Sequence, residues 1–122
     1  MVFTDTVSLL PEELRRRAVV LSGECAWPPS DVESVIEAFR GLGVAVLGLE
    51  VWLPEGNVPR VLGQSEYDVP RKKPWAAYVD ETARLALLEV KRRSVPSGAV
   101  FNLTCASEWD SGVIRRKQRQ HK

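Results

Sequence analysis

One histidine, two cysteines and sixteen carboxylates are the side chains of this chain with the plainest capacity for chemistry. The histidine, His121, is the next to last residue. Nucleophilic catalysis of the Ser-His-Asp or Cys-His kind needs a base held within hydrogen-bond reach of its nucleophile, and a terminal position gives no such hold. Cys25 and Cys105 stand far apart in sequence, and neither belongs to a Cys-x-x-Cys pair. Neither a disulfide framework nor a zinc site is therefore expected, and both cysteines read as small buried hydrophobes. No Gly-x-Gly-x-x-Gly and no Gly-x-x-x-x-Gly-Lys-Ser/Thr occurs, so no cofactor is expected. Carboxylates remain. Glu24, Glu50, Glu66 and Asp68 could converge, and a pair of carboxylates can serve as general acid and base. Acids in loops are more often solvated, and the reading is of a protein that is not an enzyme.

Binding is the chemistry these residues suit better. Four of the nine aromatic residues are tryptophan. Trp75 opens a helix on its apolar row and Trp52 ends an apolar strand, so both read as core. Trp27 lies in a Pro-flanked connector close to Glu24, and Tyr67 stands between Glu66 and Asp68. An aromatic beside an acid suits a surface that meets a basic partner: the ring supplies buried area, the acid complementarity and faster association. The expected partner-binding set is Glu24, Trp27, Glu66, Tyr67 and Asp68. The alternative for Trp27 is a lid over one end of the core.

The elements that must position these residues follow from composition and pattern. At 122 residues, 44% hydrophobic and 27% charged, the chain fits one globular domain able to bury about two-thirds of its unfolded surface. No apolar run approaches the roughly 20 residues that cross a bilayer, and residues 1–10 lack the order of a signal peptide. The cytoplasm is the expected location, with no membrane partner. The net charge of +1 conceals an asymmetry. Residues 1–70 hold eleven acidic and five basic side chains, a net of −6, whereas residues 71–122 hold five acidic and twelve basic, a net of +7. Five of the basic groups fall in the last eight residues, which read as a disordered basic tail, 115–122, behind a single domain, 1–114. That tail is the one candidate nucleic-acid arm, and no aromatic interleaves its charges, which argues against nucleic acid as a partner.

The predicted fold is α+β: a small, mostly antiparallel sheet of three to four strands covered by about three helices, in the order α-α-β-β-α-β. The first helix is expected from about Leu9 to Leu21, on the spacing of Leu10, Leu14, Ala18 and Leu21, with Gly23 as its stop. The second is expected to begin at Ser30, with Glu33 completing a capping box and Val32, Val35, Ile36 and Phe39 on one face. The continuous apolar run from Val44 to Leu53 suits a central strand. Pro54-Glu55-Gly56-Asn57 is a turn, and Val58–Leu62 a second, antiparallel strand in which Pro59 marks an edge or a bulge. A long helix from Pro74 or Trp75 to about Arg93 leads to a third strand near residues 99–105 and allows one parallel crossover. Residues 112–114 would add a short fourth strand or fray.

Three stretches in this order are Glu24-Cys25-Ala26-Trp27, the segment from Gly43 to Trp52, and Trp75-Ala76-Ala77-Tyr78-Val79; the first follows Ser22-Gly23. Together they resemble family 40 of the immunity proteins of bacterial polymorphic toxin systems, over about Leu10 to Leu103. The resemblance implies a small α/β protein, encoded beside a secreted toxin, that binds the cognate toxin and blocks it by stoichiometric, non-catalytic inhibition. It marks Glu24, Trp27, Gly43, Gly48, Trp52, Tyr67, Asp68, Trp75 and Tyr78. The chain departs from the family after Gly48, where Leu49-Glu50 replaces the expected glycine or aspartate, and in its Pro-rich connector and basic tail. Another small interaction or regulatory module, or a carboxylate-based enzyme, is the alternative.

Overall fold

The computed structural model describes residues 5–70 and 74–108. Trp109, the short strand expected at 112–114, the tail 115–122 and His121 lie outside them. Nine elements follow in order: α1 (Asp5–Ser8), α2 (Glu12–Arg16), β1 (Val19–Leu21), β2 (Glu24–Ala26), α3 (Pro29–Gly41), β3 (Ala45–Glu55), β4 (Val58–Glu66), α4 (Trp75–Arg92) and β5 (Val100–Ala106). The α+β class is as expected, and the three C-terminal strands form one antiparallel sheet in the order β4-β3-β5. Since β4 and β5 both run antiparallel to β3, they are parallel to each other. The unit β4-α4-β5 is thus the single parallel crossover, with β3 inserted between its two strands.

The first departure lies in the N-terminal segment. The expected helix from Leu9 to Leu21 ends at Arg16, and Val19–Leu21 is a strand paired antiparallel with Glu24–Ala26. Two residues link these strands, Ser22 at φ 50° and Gly23 at φ 82°. Positive φ at both central positions is the geometry of a type I′ turn, whose twist matches that of a two-stranded ribbon. The β-branched Val19 and Val20 favour that ribbon over a further helical turn. Gly23 therefore stops no helix; it closes a hairpin.

The second departure is a cap. α3 begins at Pro29, whose fixed φ suits a first helical position, with Pro28 at the N-cap and no side-chain cap bond. Ser30 then lies inside the first turn, and the expected capping box is not formed. The predicted apolar face is as read: Val32, Val35, Ile36 and Phe39 are all buried. Burial of each contributes roughly 1.5–3 kcal/mol, which fixes the helix on the sheet by this face.

α3 and α4 lie side by side and antiparallel. Arg40 at the end of α3 pairs with Asp80 near the start of α4 at 2.9 Å, and Glu33 near the start of α3 meets Lys91 near the end of α4 at 4.0 Å. Both pairs are exposed and fix direction more than stability. Beneath the helices the main core joins Val32, Val35, Ile36 and Phe39 to Leu49, Val51 and Phe101 of the sheet and to Ala83, Ala86 and Val90 of α4.

The opposite sheet face is divided. Strand alternation and register place Gly48, Glu50 and Trp52 of β3 on it, with Gln64 and Glu66 of β4 and Val100, Asn102 and Thr104 of β5. The β1–β2 hairpin covers one end, where Leu21 and Ala26 bury Trp52 and Val100. Three anchors hold the hairpin, one of them the Asn102 side-chain amide of β5, which donates to the Cys25 carbonyl at 2.8 Å. The Ser22 N–H donates to the Asn57 carbonyl at 2.9 Å, and Trp27 exchanges two backbone hydrogen bonds with Phe101, at 2.9 and 2.7 Å. The other end of the face is left open.

Candidate functional site

The open end of the sheet face is built by four residue pairs and the segment that leaves β4. Gly48 stands opposite Glu66 on one side and Thr104 on the other; Glu50 stands opposite Gln64 and Asn102. Gly48 is required here by close approach, because a Cβ at this position would collide with the Ser65 carbonyl oxygen on β4. The β3–β4 pairing continues past the strand, with the Tyr67 N–H donating to the Leu47 carbonyl at 2.9 Å. Around these residues lies a cleft of about 350 Å³, lined among others by Glu50, Gln64, Glu66, Asp68, Tyr78 and Thr104. Glu66 and Asp68 are exposed; Glu50 is half-buried and accepts the indole N–H of Trp52 at 2.8 Å.

Tyr67 borders this cleft but directs its hydroxyl elsewhere. Its O–H donates to Glu89 of α4 at 2.7 Å, and the Ser65 hydroxyl donates to the same carboxylate at 2.5 Å. Arg93 completes the cluster, donating to Glu89 Oε2 at 3.1 Å from Nε and 2.8 Å from its terminal nitrogen. Burial alone would raise the Glu89 pKa, but the hydrogen bonds from Ser65, Tyr67 and Arg93 outweigh it and hold the carboxyl below its ordinary value. Burial pushes the Tyr67 phenol well above its ordinary range, helped by its bond to Glu89. Tyr67 is thus a protonated donor that fastens β4 to α4, and its ring, not its hydroxyl, is what the surface presents.

The five residues expected to meet a partner do not form one surface. Glu66, Tyr67 and Asp68 come together with Glu50 at the β4 side of the sheet. Glu24 is exposed on β2, beyond the β5 edge, with β3 and β5 between the two groups. Trp27 is 1% exposed, and its indole N–H donates to the Leu14 carbonyl at 2.8 Å, satisfying an acceptor at the end of α2. It is the lid over the core, with no surface to offer a partner. Glu24 and Trp27 instead line a cavity of about 50 Å³ together with Cys25 and Cys105. Both cysteines are free thiols whose pKa is raised by burial.

Gln64, Thr104 and the Glu89–Arg93 pair carried no motif in the sequence. The one signal for Glu89 was its place on the row Trp75, Val79, Thr82, Ala86, otherwise uncharged, where a carboxylate must find a partner under the surface. Trp75 and Tyr78 stack at 5.3 Å between ring centroids, and the Trp75 N–H donates to the Gly43 carbonyl at 2.7 Å. Both serve the fold, as Trp52 does.

Chemically, the open face is an acceptor surface. Glu50, Glu66 and Asp68 supply negative charge, Gln64 and Thr104 supply neutral polar groups, and the cleft is large enough for one or two long cationic side chains. Among the described residues no group of three or more His, Cys, Asp or Glu is placed to hold a metal ion. No described helix is long and apolar enough to cross a membrane. No protein-family model, curated protein or solved structure matches the chain.

Proposed function

We propose that this protein is a non-catalytic binding module that captures a protein partner through the partner's basic surface, and that the partner is a bacterial toxin domain held inactive in a stoichiometric complex. The observation that carries the binding reading is the sheet face left open by the β1–β2 hairpin, where Glu50, Glu66 and Asp68 border a cleft of about 350 Å³. An exposed acidic surface beside a cleft attracts lysine and arginine at a distance and gives their stems apolar surface on arrival. The toxin as partner comes from the resemblance to immunity protein family 40, in which inhibition is by binding. On this reading the protein acts in the cytoplasm of the producing cell, needs no cofactor, and is encoded beside its target.

The test is a calorimetric titration against the C-terminal domain of a large secreted protein encoded immediately upstream. A one-to-one complex of nanomolar affinity is expected. The double charge reversal Glu66→Lys and Asp68→Lys should weaken it by about tenfold or more at low salt, mainly by slowing association. Unchanged affinity of that variant would remove the acidic face from the interface; absence of binding by the parent protein would remove the toxin.

A further inference from the structure

β4 is the edge strand of the sheet, and among the described residues its outer edge pairs with nothing. It is nine residues long and none of them is buried. Val58, Val61 and Leu62 are 60%, 51% and 38% exposed. Exposed edges of this kind are ordinarily blunted, since they present unpaired backbone donors and acceptors to any passing strand. Here the devices lie in the first half: Pro59 removes a donor near the hairpin, and the register slips where Trp52 pairs with Val61 and Val51 with Gly63. The second half, Gly63 to Glu66, pairs regularly with β3. As Tyr67 turns its N–H inward to Leu47, the alternation of an antiparallel ladder turns the N–H and C=O of Gln64 and Glu66 to the outer edge.

The two sides of this half-strand differ in chemistry. On the open face lies the acidic cleft with Gln64, Glu66, Asp68 and Glu50. On the helix face, Ser65 points to Glu89 and the Arg93 guanidinium lies against Gly63. There a second, shallower groove of about 410 Å³ is walled by Tyr67, Leu85 and Leu88, with Glu89, Arg92 and Arg93 at its rim. One groove is therefore acidic, the other apolar with a rim in which Glu89 pairs with Arg93 and Arg92 leaves a net positive charge, and the edge of β4 runs between them.

We infer that β4 is a docking edge for an extended segment of the partner, which adds to the sheet as a fourth strand and alternates basic and apolar side chains. The inference rests on the binding reading above and gives its mode of recognition. A strand laid about 4.8 Å outside β4 sends successive side chains to opposite faces. Residues of one parity fall beside Gln64 and Glu66, where lysine or arginine meets three carboxylates. Residues of the other parity fall beside Leu85, Leu88 and the Tyr67 ring, where an aliphatic side chain is buried. The arrangement also disfavours the wrong parity, because a cation on the helix side would meet a rim of net positive charge, Arg92 and Arg93 against Glu89. Main-chain bonds supply affinity, and the two unlike grooves supply register.

The probe is an acetylated, amidated peptide alternating lysine with valine, as long as the nine residues of β4. Three controls accompany it: the same composition with the alternation scrambled, glutamate replacing lysine, and N-methylation of alternate backbone amides. The alternating peptide should bind at up to about 1 mM and slow hydrogen exchange at the Gln64 and Glu66 amides. Each control should bind about tenfold more weakly or worse. In the full-length protein, Leu88→Asp and Glu66→Lys should each weaken the peptide while leaving the thermal midpoint near that of the parent. No binding, equal binding of the scrambled or N-methylated peptide, or protection elsewhere than β4 overturns strand addition. So does a concentration-dependent dimer abolished by Leu62→Lys, which would assign the edge to a second copy of the chain. These outcomes are separate from the toxin titration: a toxin complex without protection of β4 defeats the docking edge alone, and a bound peptide without a toxin complex defeats the toxin alone.

Discussion

Glu89 stands on the row of α4 that otherwise carries Trp75, Val79, Thr82 and Ala86, and it is the residue on which β4 is fastened. Ser65, Tyr67 and Arg93 all donate to it. Hydrogen bonds to a charged acceptor are worth roughly 1.5–3 kcal/mol each at most, and desolvation of the carboxylate offsets part of the sum. Glu89→Gln keeps the shape and loses the charge, and should destabilise the protein by about 1–3 kcal/mol at neutral pH. The pH dependence has a definite sign. The folded protein holds this carboxyl below its ordinary value of 4.5, so its contribution is complete above pH 4.5 and is lost as pH falls through the lowered value. The difference in unfolding free energy between parent and variant, measured in urea from pH 7 downward, should therefore stay constant to about pH 5 and then shrink. A difference that grows on acidification would mean that Glu89 is not the charged acceptor of this cluster.

At the scale of elements, the hairpin β1–β2 decides which part of the sheet face is open, and two residues decide the hairpin. Ser22 at φ 50° adopts a conformation that costs most residues other than glycine, asparagine and aspartate roughly 1–2 kcal/mol. Ser22→Asn should raise stability by about 0.5 kcal/mol, and Gly23→Ala, forced to φ 82°, should lower it by about 1 kcal/mol or more, as read from thermal midpoints. Similar midpoints for both variants would speak against the I′ geometry. This element also marks where the sequence stopped being legible. Val44–Leu53 read as a central strand because its apolar run is β-branched, short and bounded by glycine, and of the edge or bulge that Pro59 marked, the edge is what the structure shows there; Pro59 itself pairs with Pro54, and the register shift falls beyond it, between Val61 and Gly63. Leu10, Leu14, Ala18 and Leu21 are all buried or half-buried, but only Leu14 lies in α2; inward-facing residues of a short helix and of the strand after it mimicked one helical row, and Ser22-Gly23 after Val19-Val20-Leu21 was the stronger signal. The site was legible in part. Glu66-Tyr67-Asp68 stood out as an aromatic between acids, whereas Trp27 near Glu24 looked alike and is core, because strand pairing to Phe101, invisible in the sequence, turns its indole inward.

For the molecule as a whole, the question is whether its three hydrophobic clusters melt together. Trp27 belongs to the main core under the helices, Trp52 to the cluster beneath the hairpin, and Trp75 packs against a third with Ala45, Val69, Tyr78 and Val79. β3 runs through all of them: Leu49 and Val51 face the first, Trp52 the second, and Ala45 the third. An element shared by every cluster cannot leave one without exposing the others, so unfolding should be a single cooperative transition, as is usual for domains of this size. The weakest coupling is at the hairpin, a separate two-stranded sheet tied to the rest by the Ser22–Asn57 and Trp27–Phe101 backbone bonds and by the Asn102 amide on the Cys25 carbonyl. Three variants, each retaining Trp27, Trp52 or Trp75 as the sole tryptophan with phenylalanine elsewhere, report on the clusters one at a time. Within each variant the fluorescence midpoint in urea should coincide with that of far-ultraviolet circular dichroism. Only the Trp52 variant has a structural reason to deviate. If its fluorescence changes first, the hairpin opens as a separate unit, the acidic face extends to the Trp52–Val100 end of the sheet, and the surface available to a partner is larger than the cleft alone.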